Sequence, residues 1–308
     1  MHPRDNTEPI YWKLTPLGYH YKDRIDEKFA ATGFYYYHQF GYFTEEETPS
    51  TGPYLVTNKH VIEPPEMESP DSIVAYQRNS ANIQEVTRHN IPLYDQDGSP
   101  RWRVHPDNSK IDIAVIPVEF EVPDKCAFHW SDVVRTESAS GGDLIQVIGY
   151  PNPLEDFYRL PIQRSALVSS PYNVAYHDNA FFYIDARLHD GMSGSPVLTF
   201  SREPGVSIDS VPGATKQAND VLEELQIEVD RSQTQNGLLG IHSAEAIEHD
   251  DQISLDDIRD QISDNDEDTV EAYLEQLEGR ISDIEVESGL NRVWHAEYLD
   301  DIIRNIDL

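Results

Sequence analysis

Phe181-Phe182-Tyr183-Ile184-Asp185-Ala186-Arg187-Leu188-His189-Asp190-Gly191-Met192-Ser193-Gly194-Ser195-Pro196-Val197-Leu198-Thr199-Phe200 reads as a strand, a polar loop and a second strand. The aromatic and β-branched residues at its two ends suit a pleated, half-buried surface. Between them, two glycines flank Ser193. Glycines permit a tight loop in which backbone N–H groups point at one spot while a serine hydroxyl is presented outward. Acyl transfer needs that pairing of a nucleophile with an oxyanion hole. The N–H donors would be those of Gly191 and Ser193. A Gly/Ser turn before a strand is also a common structural turn, so the loop alone leaves its role open.

On both sides of this loop the chain is a series of short apolar runs broken by Gly, Pro, Asn and Asp. GFYYYHQF, PYLVTN, SIVAYQ, NIPLY, RWRVH and IDIAVIPV lie between Gly33 and Val118. DLIQVIGYP, QRSALVSS, AFFYIDARL, SPVLTF and NGLLGIHSA form a second series. Strand signals at such spacing predict an all-β barrel or sandwich. Residues 1–30 are polar and mixed and read as an N-terminal arm, with a short helix over Tyr21–Ala30. Residues 31–118 and 141–247 read as two β units joined by a linker at 119–140. Helical patterns cover Ala218–Val229 and roughly Ser254–Ile284, the latter inside an acidic helical insertion at 248–287. Residues 288–308 return to the main fold as a final strand, RVWHA, and a C-terminal helix, EYLDDIIRNI.

The charge is lopsided. The 308 residues carry 56 Asp+Glu against 23 Lys+Arg, a net charge of −33. Sixteen of the acidic residues and two arginines fall in 248–287. Such a surface repels phosphate backbones and anionic lipid, which argues against nucleic acid and membrane partners. With only 7 Lys against 16 Arg, the composition predicts a halophilic protein from a high-salt cytoplasm. A calcium-loaded or simply very soluble protein is the alternative. Cys126 is the single cysteine, so no intramolecular disulfide can form. No apolar run nears the ~18 residues of a membrane span, and MHPRDNTEPIYWKL lacks a signal pattern. A cytoplasmic location is therefore expected.

Two further motifs carry chemistry. In Leu55-Val56-Thr57-Asn58-Lys59-His60-Val61-Ile62 an apolar strand ends at a polar pair followed by a histidine. A general base could stand there over a cleft, although a histidine so placed is often structural. In Ile111-Asp112-Ile113-Ala114-Val115-Ile116 one carboxylate begins an apolar strand. A buried carboxylate needs a compensating partner, and a histidine N–H is one. Turn amides would serve as well.

The order His60, Asp112, Ser193, with gaps of 52 and 81 residues, resembles trypsin-like (chymotrypsin-fold) serine proteases, in their intracellular bacterial and archaeal branch. TGFYYY, VHPDNSKIDIAVIPV, VIGYP, QRSALVSS, FFYIDARLHDGMSGSPV and GLLGIHSA follow that family's order over roughly residues 31–245, joined by the final strand and helix. The resemblance implies two six-stranded antiparallel β-barrels with catalysis in the cleft between them. It implies a His60-Asp112-Ser193 triad, an oxyanion hole at Gly191 and Ser193, and support of the triad carboxylate by Ser243. It implies neither a metal nor an organic cofactor. Ser195 is a decoy: the Gly-x-Ser-Gly register selects Ser193. Met192 stands where Asn or Asp is more usual, at the lip of the loop. Arg187, six before the serine, would lie at the base of a specificity pocket and favour an acidic P1 side chain, with Gly240 and His242 as further substrate-binding candidates. His249-Asp250-Asp251 and SDNDED (263–268) read as solvated acidic runs, Cys126 as a small buried hydrophobe, and Tyr35-Tyr36-Tyr37 as core and rim. The expected function is a serine endopeptidase acting on protein or peptide substrates. The alternatives are a catalytically silent trypsin-fold peptide- or protein-binding module and an ester-specific acyl hydrolase. Oligomeric state is not legible.

Overall fold

The computed structural model describes residues 9–21, 24–38, 52–65, 67–134, 139–152, 158–174, 181–199, 237–245 and 289–304. The segments read as helical at 218–229 and 254–284, the acidic runs at 249–251 and 263–268, and thus the insertion, lie outside them.

The first half is a seven-stranded sheet built from β1 (Leu14–Tyr21), β2 (Arg24–Tyr37), β3 (Pro53–Thr57), β4 (Ser72–Asn79), β5 (Asn82–Pro92), β6 (Ala114–Pro117) and β7 (Phe128–His129). Its path is β5-β4-β1-β2-β3-β6, with β7 pairing in parallel to β2. The second half is a closed six-stranded barrel of β8 (Leu144–Gly149), β9 (Ile162–Val168), β10 (Phe181–Asp185), β11 (Pro196–Thr199), β12 (Leu238–Glu245) and β13 (Leu290–His295). The C-terminal helix is present as α2 (Tyr298–Arg304); one helical turn, α1 (Lys59–Ile62), follows β3.

Of the two expected barrels, one is closed among the described residues. The other is a sheet whose path ends at β5 and β6, and the segment between them links the two: Arg101 N–H donates to Leu93 O and Arg103 bridges Val115. One expectation, for residues 1–30, needs correction. Leu14–Tyr21 is a buried strand at the centre of the sheet, and the span read as a helix is strand from Arg24, pairing His20 with Ile25 and Tyr19 with Asp26. The charged residues there suggested solvent, but the backbone pairs with β1 in a tight hairpin, and sheet pairing overrides a weak local helix pattern. Within the stretch 119–140, Phe128 pairs with Tyr36 of β2 and Val133 bridges Leu238.

The period of two along β2 explains how the halves join. Tyr35 and Ala31 face a cluster inside the first sheet with Leu17, Leu55, Ile73 and Ile116. Phe34 and Tyr36 face the other way, into a shared core with Ile148, Leu238, Ile241, Trp294 and the α2 residues Leu299, Ile302 and Ile303. Tyr35 and Tyr36 are both fully buried and only Tyr37 reaches the rim, because β2 is covered on two faces. Cys126 is buried in the first-sheet core, where desolvation pushes its thiol pKa up. Among the described residues no helix is long and apolar enough to cross a membrane.

Candidate active site

The sequence candidates His60, Asp112 and Ser193 come to one place. β3 runs apolar through Val56 and ends at Thr57; Asn58 caps α1, and His60 sits within that turn, half-exposed. Asp112 lies just before β6, the partner strand of β3. Antiparallel pairing of these two strands brings the histidine and the carboxylate together. Asp112 Oδ2 lies 2.6 Å from His60 Nδ1, and Oδ1 accepts the His60 backbone N–H at 2.9 Å. Ser243 Oγ donates to Asp112 Oδ2 at 2.6 Å. The carboxylate only accepts, so His60 Nδ1 carries the proton and Nε2 keeps its lone pair in the neutral ring.

Ser193 is half-buried, on the loop between β10 and β11. Its Oγ donates to the Ser243 carbonyl at 2.9 Å. Among the described residues no hydrogen bond joins it to His60 Nε2. The Ser195 side chain, by contrast, is fully buried, so the loop presents Ser193 and hides the decoy. Met192 is buried in the barrel core rather than placed at the loop's lip.

The loop is bonded carbonyl by carbonyl. Asp190 O accepts from Asn152 N–H at 2.6 Å, and Gly191 O from Thr32 Oγ1 at 2.8 Å. Met192 O accepts from Ser195 N–H at 3.0 Å, and Ser193 O from Thr32 N–H at 2.8 Å. Met192 N–H and Gly194 N–H donate to His189 O and His242 O. The N–H groups of Gly191 and Ser193 have no acceptor among the described residues. Gly194 has φ +82°, and a Cβ there would sit well inside van der Waals distance of the Thr32 carbonyl oxygen. Glycine is thus required both for the turn and for the loop's approach to β2.

Thr32, Asn58 and Asn291 were not singled out from sequence. Thr32 Oγ1 also accepts the Tyr150 N–H at 2.9 Å, and its carbonyl accepts Thr57 Oγ1 at 2.9 Å, so one buried threonine ties β2 and β3 to β8 and the serine loop. Asn58 Nδ2 donates to the Asp112 carbonyl at 2.6 Å and holds the backbone of the carboxylate. The only sequence signal for Thr32 was its place before Gly33 in TGFYYY.

The candidates for substrate binding fare differently. Arg187 is exposed on the stretch after β10. Gly240 is buried against β13, where a Cβ would collide with the Trp294 carbonyl and Val293. His242 is 3% exposed and turned into the barrel. Its Nδ1 lies 3.0 Å from Met192 O and its Nε2 3.0 Å from Asn291 Oδ1. Both ring nitrogens are therefore engaged by the protein and not offered to a substrate, and desolvation pulls its pKa down, against the opposing pull of the Met192 bond. Among the described residues no three metal-ligating side chains gather.

Residues 31–203 match the family described as the trypsin-like peptidase domain. No curated protein matches the chain in sequence. Two solved structures are similar at 13% identity. One is the MamO protease domain from Magnetospirillum magneticum in its apo form, with 77% of this chain and 86% of that chain covered and a TM-score of 0.43. The other is the Rv3671c protease from M. tuberculosis in its active form, with 99% and 93% covered and a TM-score of 0.43.

Proposed function

We propose that this chain, which belongs to the trypsin-like peptidase domain family, is a serine endopeptidase with His60, Asp112 and Ser193 as its triad. The observation that carries the reading is the convergence on Asp112 Oδ2 of His60 Nδ1 and Ser243 Oγ, each at 2.6 Å. That carboxylate fixes the ring tautomer, leaves Nε2 basic, and stabilises the imidazolium that forms when Nε2 takes a proton. Ser193 Oγ gives that proton to Nε2 and attacks the scissile carbonyl. The oxyanion is received by Gly191 N–H and Ser193 N–H, each donor worth about 3–4 kcal/mol of barrier. The imidazolium returns the proton to the leaving amine, and the same base activates water to release the acyl-enzyme.

One observation favours a second reading, a silent peptide-binding module: at rest Ser193 Oγ is bonded to Ser243 O and not to His60. On the peptidase reading this is a parked hydroxyl. A rotation of about 120° about χ1 moves it between staggered positions, and an extended substrate laid beside β12 competes for the Ser243 carbonyl with its own N–H.

The proposed substrates are proteins or peptides. The exposed Arg187 favours an acidic residue at P1. The charge of −33 supports a high-salt cytoplasm as the setting. Cleavage of a peptide library in dilute buffer and in molar KCl tests these together. Turnover that Ser193→Ala abolishes, stronger in KCl and selective for Asp or Glu at P1, is the expected result. Absence of cleavage at any salt level favours the silent module, and preference for Lys or Arg at P1 removes the role of Arg187.

A further inference from the structure

The two open N–H groups of the serine loop are the reverse sides of anchored peptides. A trans peptide is planar, with its C=O and N–H directed opposite ways. The Asp190 carbonyl is held by Asn152 N–H, so the Gly191 N–H is aimed away from Asn152. The Met192 carbonyl is held by Ser195 N–H and lies 3.0 Å from His242 Nδ1, so the Ser193 N–H is aimed away from both. Ser195 N–H closes a local turn, and one such bond leaves the peptide plane free to rock about it. A second donor from β12 fixes the plane against the barrel wall.

The neutral His242 ring has one N–H for two acceptors, Met192 O and Asn291 Oδ1. Asn291 is not free to turn its amide and offer an N–H instead. Its Nδ2 already donates to Ala186 O at 2.6 Å and to Gly289 O at 3.4 Å, and both of those only accept. The single ring proton must go to one side or the other.

We infer that the ring proton sits on Nδ1 and that His242 is a positioning residue for the oxyanion hole, holding the Met192–Ser193 peptide so that the Ser193 N–H faces the cleft. His242 touches no reacting atom in this role. The inference rests on the serine-peptidase reading of the site, and two measurements separate its fate from that reading.

The first is made on the unaltered protein and needs no activity. ¹⁵N imidazole shifts at neutral pH are expected to show His242 with Nδ1 protonated and Nε2 bare; a proton on Nε2 overturns the inference whatever the enzyme does. The second is kinetic. His242→Asn places an amide N–H near the Nδ1 position, and His242→Gln places one near Nε2. With a peptide substrate from the library, His242→Gln is expected to lower kcat about tenfold or more, part of the ~10²–10³ lost with a whole oxyanion donor. Its KM should stay within about twofold, and inhibition by the matching peptide aldehyde, whose hemiacetal oxygen needs the hole, should weaken in step. His242→Asn should recover most of kcat. Equal activity of the two variants, a better Gln than Asn variant, or a loss confined to KM overturns the inference while leaving the peptidase reading intact. An unaltered protein that cleaves nothing overturns both.

Discussion

Ser243 Oγ donates to Asp112 Oδ2 at 2.6 Å, so the second half of the molecule completes the hydrogen bonding of a carboxylate that belongs to the first. The same residue takes the Ser193 hydroxyl on its carbonyl at 2.9 Å. Ser243 thereby joins the acid and the nucleophile from one strand. Removing its hydroxyl leaves Asp112 with its two His60 bonds and one lost partner. A hydrogen bond to a charged group is worth about 1.5–3 kcal/mol, tempered here by the partial exposure of the carboxylate. Ser243→Ala is expected to lower kcat/KM about tenfold and to lower thermal stability modestly. A variant as active as the parent would separate Ser243 from the carboxylate's function.

Thr32 makes two side-chain bonds that valine, its isostere, cannot make. Thr32→Val strands the Gly191 carbonyl and the Tyr150 N–H in a buried site. Each unsatisfied buried group costs about 1–3 kcal/mol. Urea unfolding should show a loss of about 2–6 kcal/mol by that reckoning, and Thr32→Ser should restore most of it. If valine and serine behave alike, the hydroxyl is not what holds the loop to β2.

Two glycines with similar backbone angles should answer alanine differently. Gly194 has φ +82° and backbone atoms crowd the position of a Cβ; Gly142 has φ +91° and open space around it. Gly142→Ala should cost only the left-handed strain, about 1–2 kcal/mol. Gly194→Ala should cost clearly more, or prevent folding, because a rigid carbonyl of β2 must shift. Equal costs in urea unfolding would contradict the close packing of the serine loop on β2.

His295 provides a pH signature of folding. Burial pulls its pKa from the usual 6.5 down to about 4. Unfolding frees the ring to take up a proton that the folded barrel refuses. The stability tied to the neutral ring is therefore intact above pH 6.5 and is lost as pH falls toward 4. That corresponds to about 3 kcal/mol. The melting temperature of the parent should fall more steeply across this window than that of His295→Leu. Carboxylate protonation is common to both proteins, so only the difference matters, and parallel curves would contradict the assignment.

His60, Asp112 and Ser193 were legible because each ends or begins an apolar strand within a local motif, and their order along the chain is itself informative. The strands from Pro53 through Thr199 were legible for the same reason, except β5 and the two-residue β7 inside the stretch read as a linker, while RWRVH makes only an isolated bridge at Arg103. Asn82–Pro92 is an edge strand with mostly polar, partly exposed residues, so its alternation is faint. Residues 24–30 misled because backbone pairing, not side-chain pattern, decides their state. Thr32 acts on Gly191 across 159 residues, Asn58 on Asp112 across 54 and His242 on Met192 across 50. A polar side chain acting at such separations leaves no periodicity to read. Whether a sheet closes is likewise a matter of pairing at its two edges, which the strand runs themselves do not encode.

The central claim is that Ser193 is the nucleophile and His60 its base. The most direct measurement is mass-spectrometric mapping of a fluorophosphonate adduct on the full chain in molar KCl. The account predicts one adduct, on Ser193, retained by Ser195→Ala and lost in Ser193→Ala and His60→Ala. An adduct on Ser195, or a Ser193 adduct that forms as fast without His60, would contradict it.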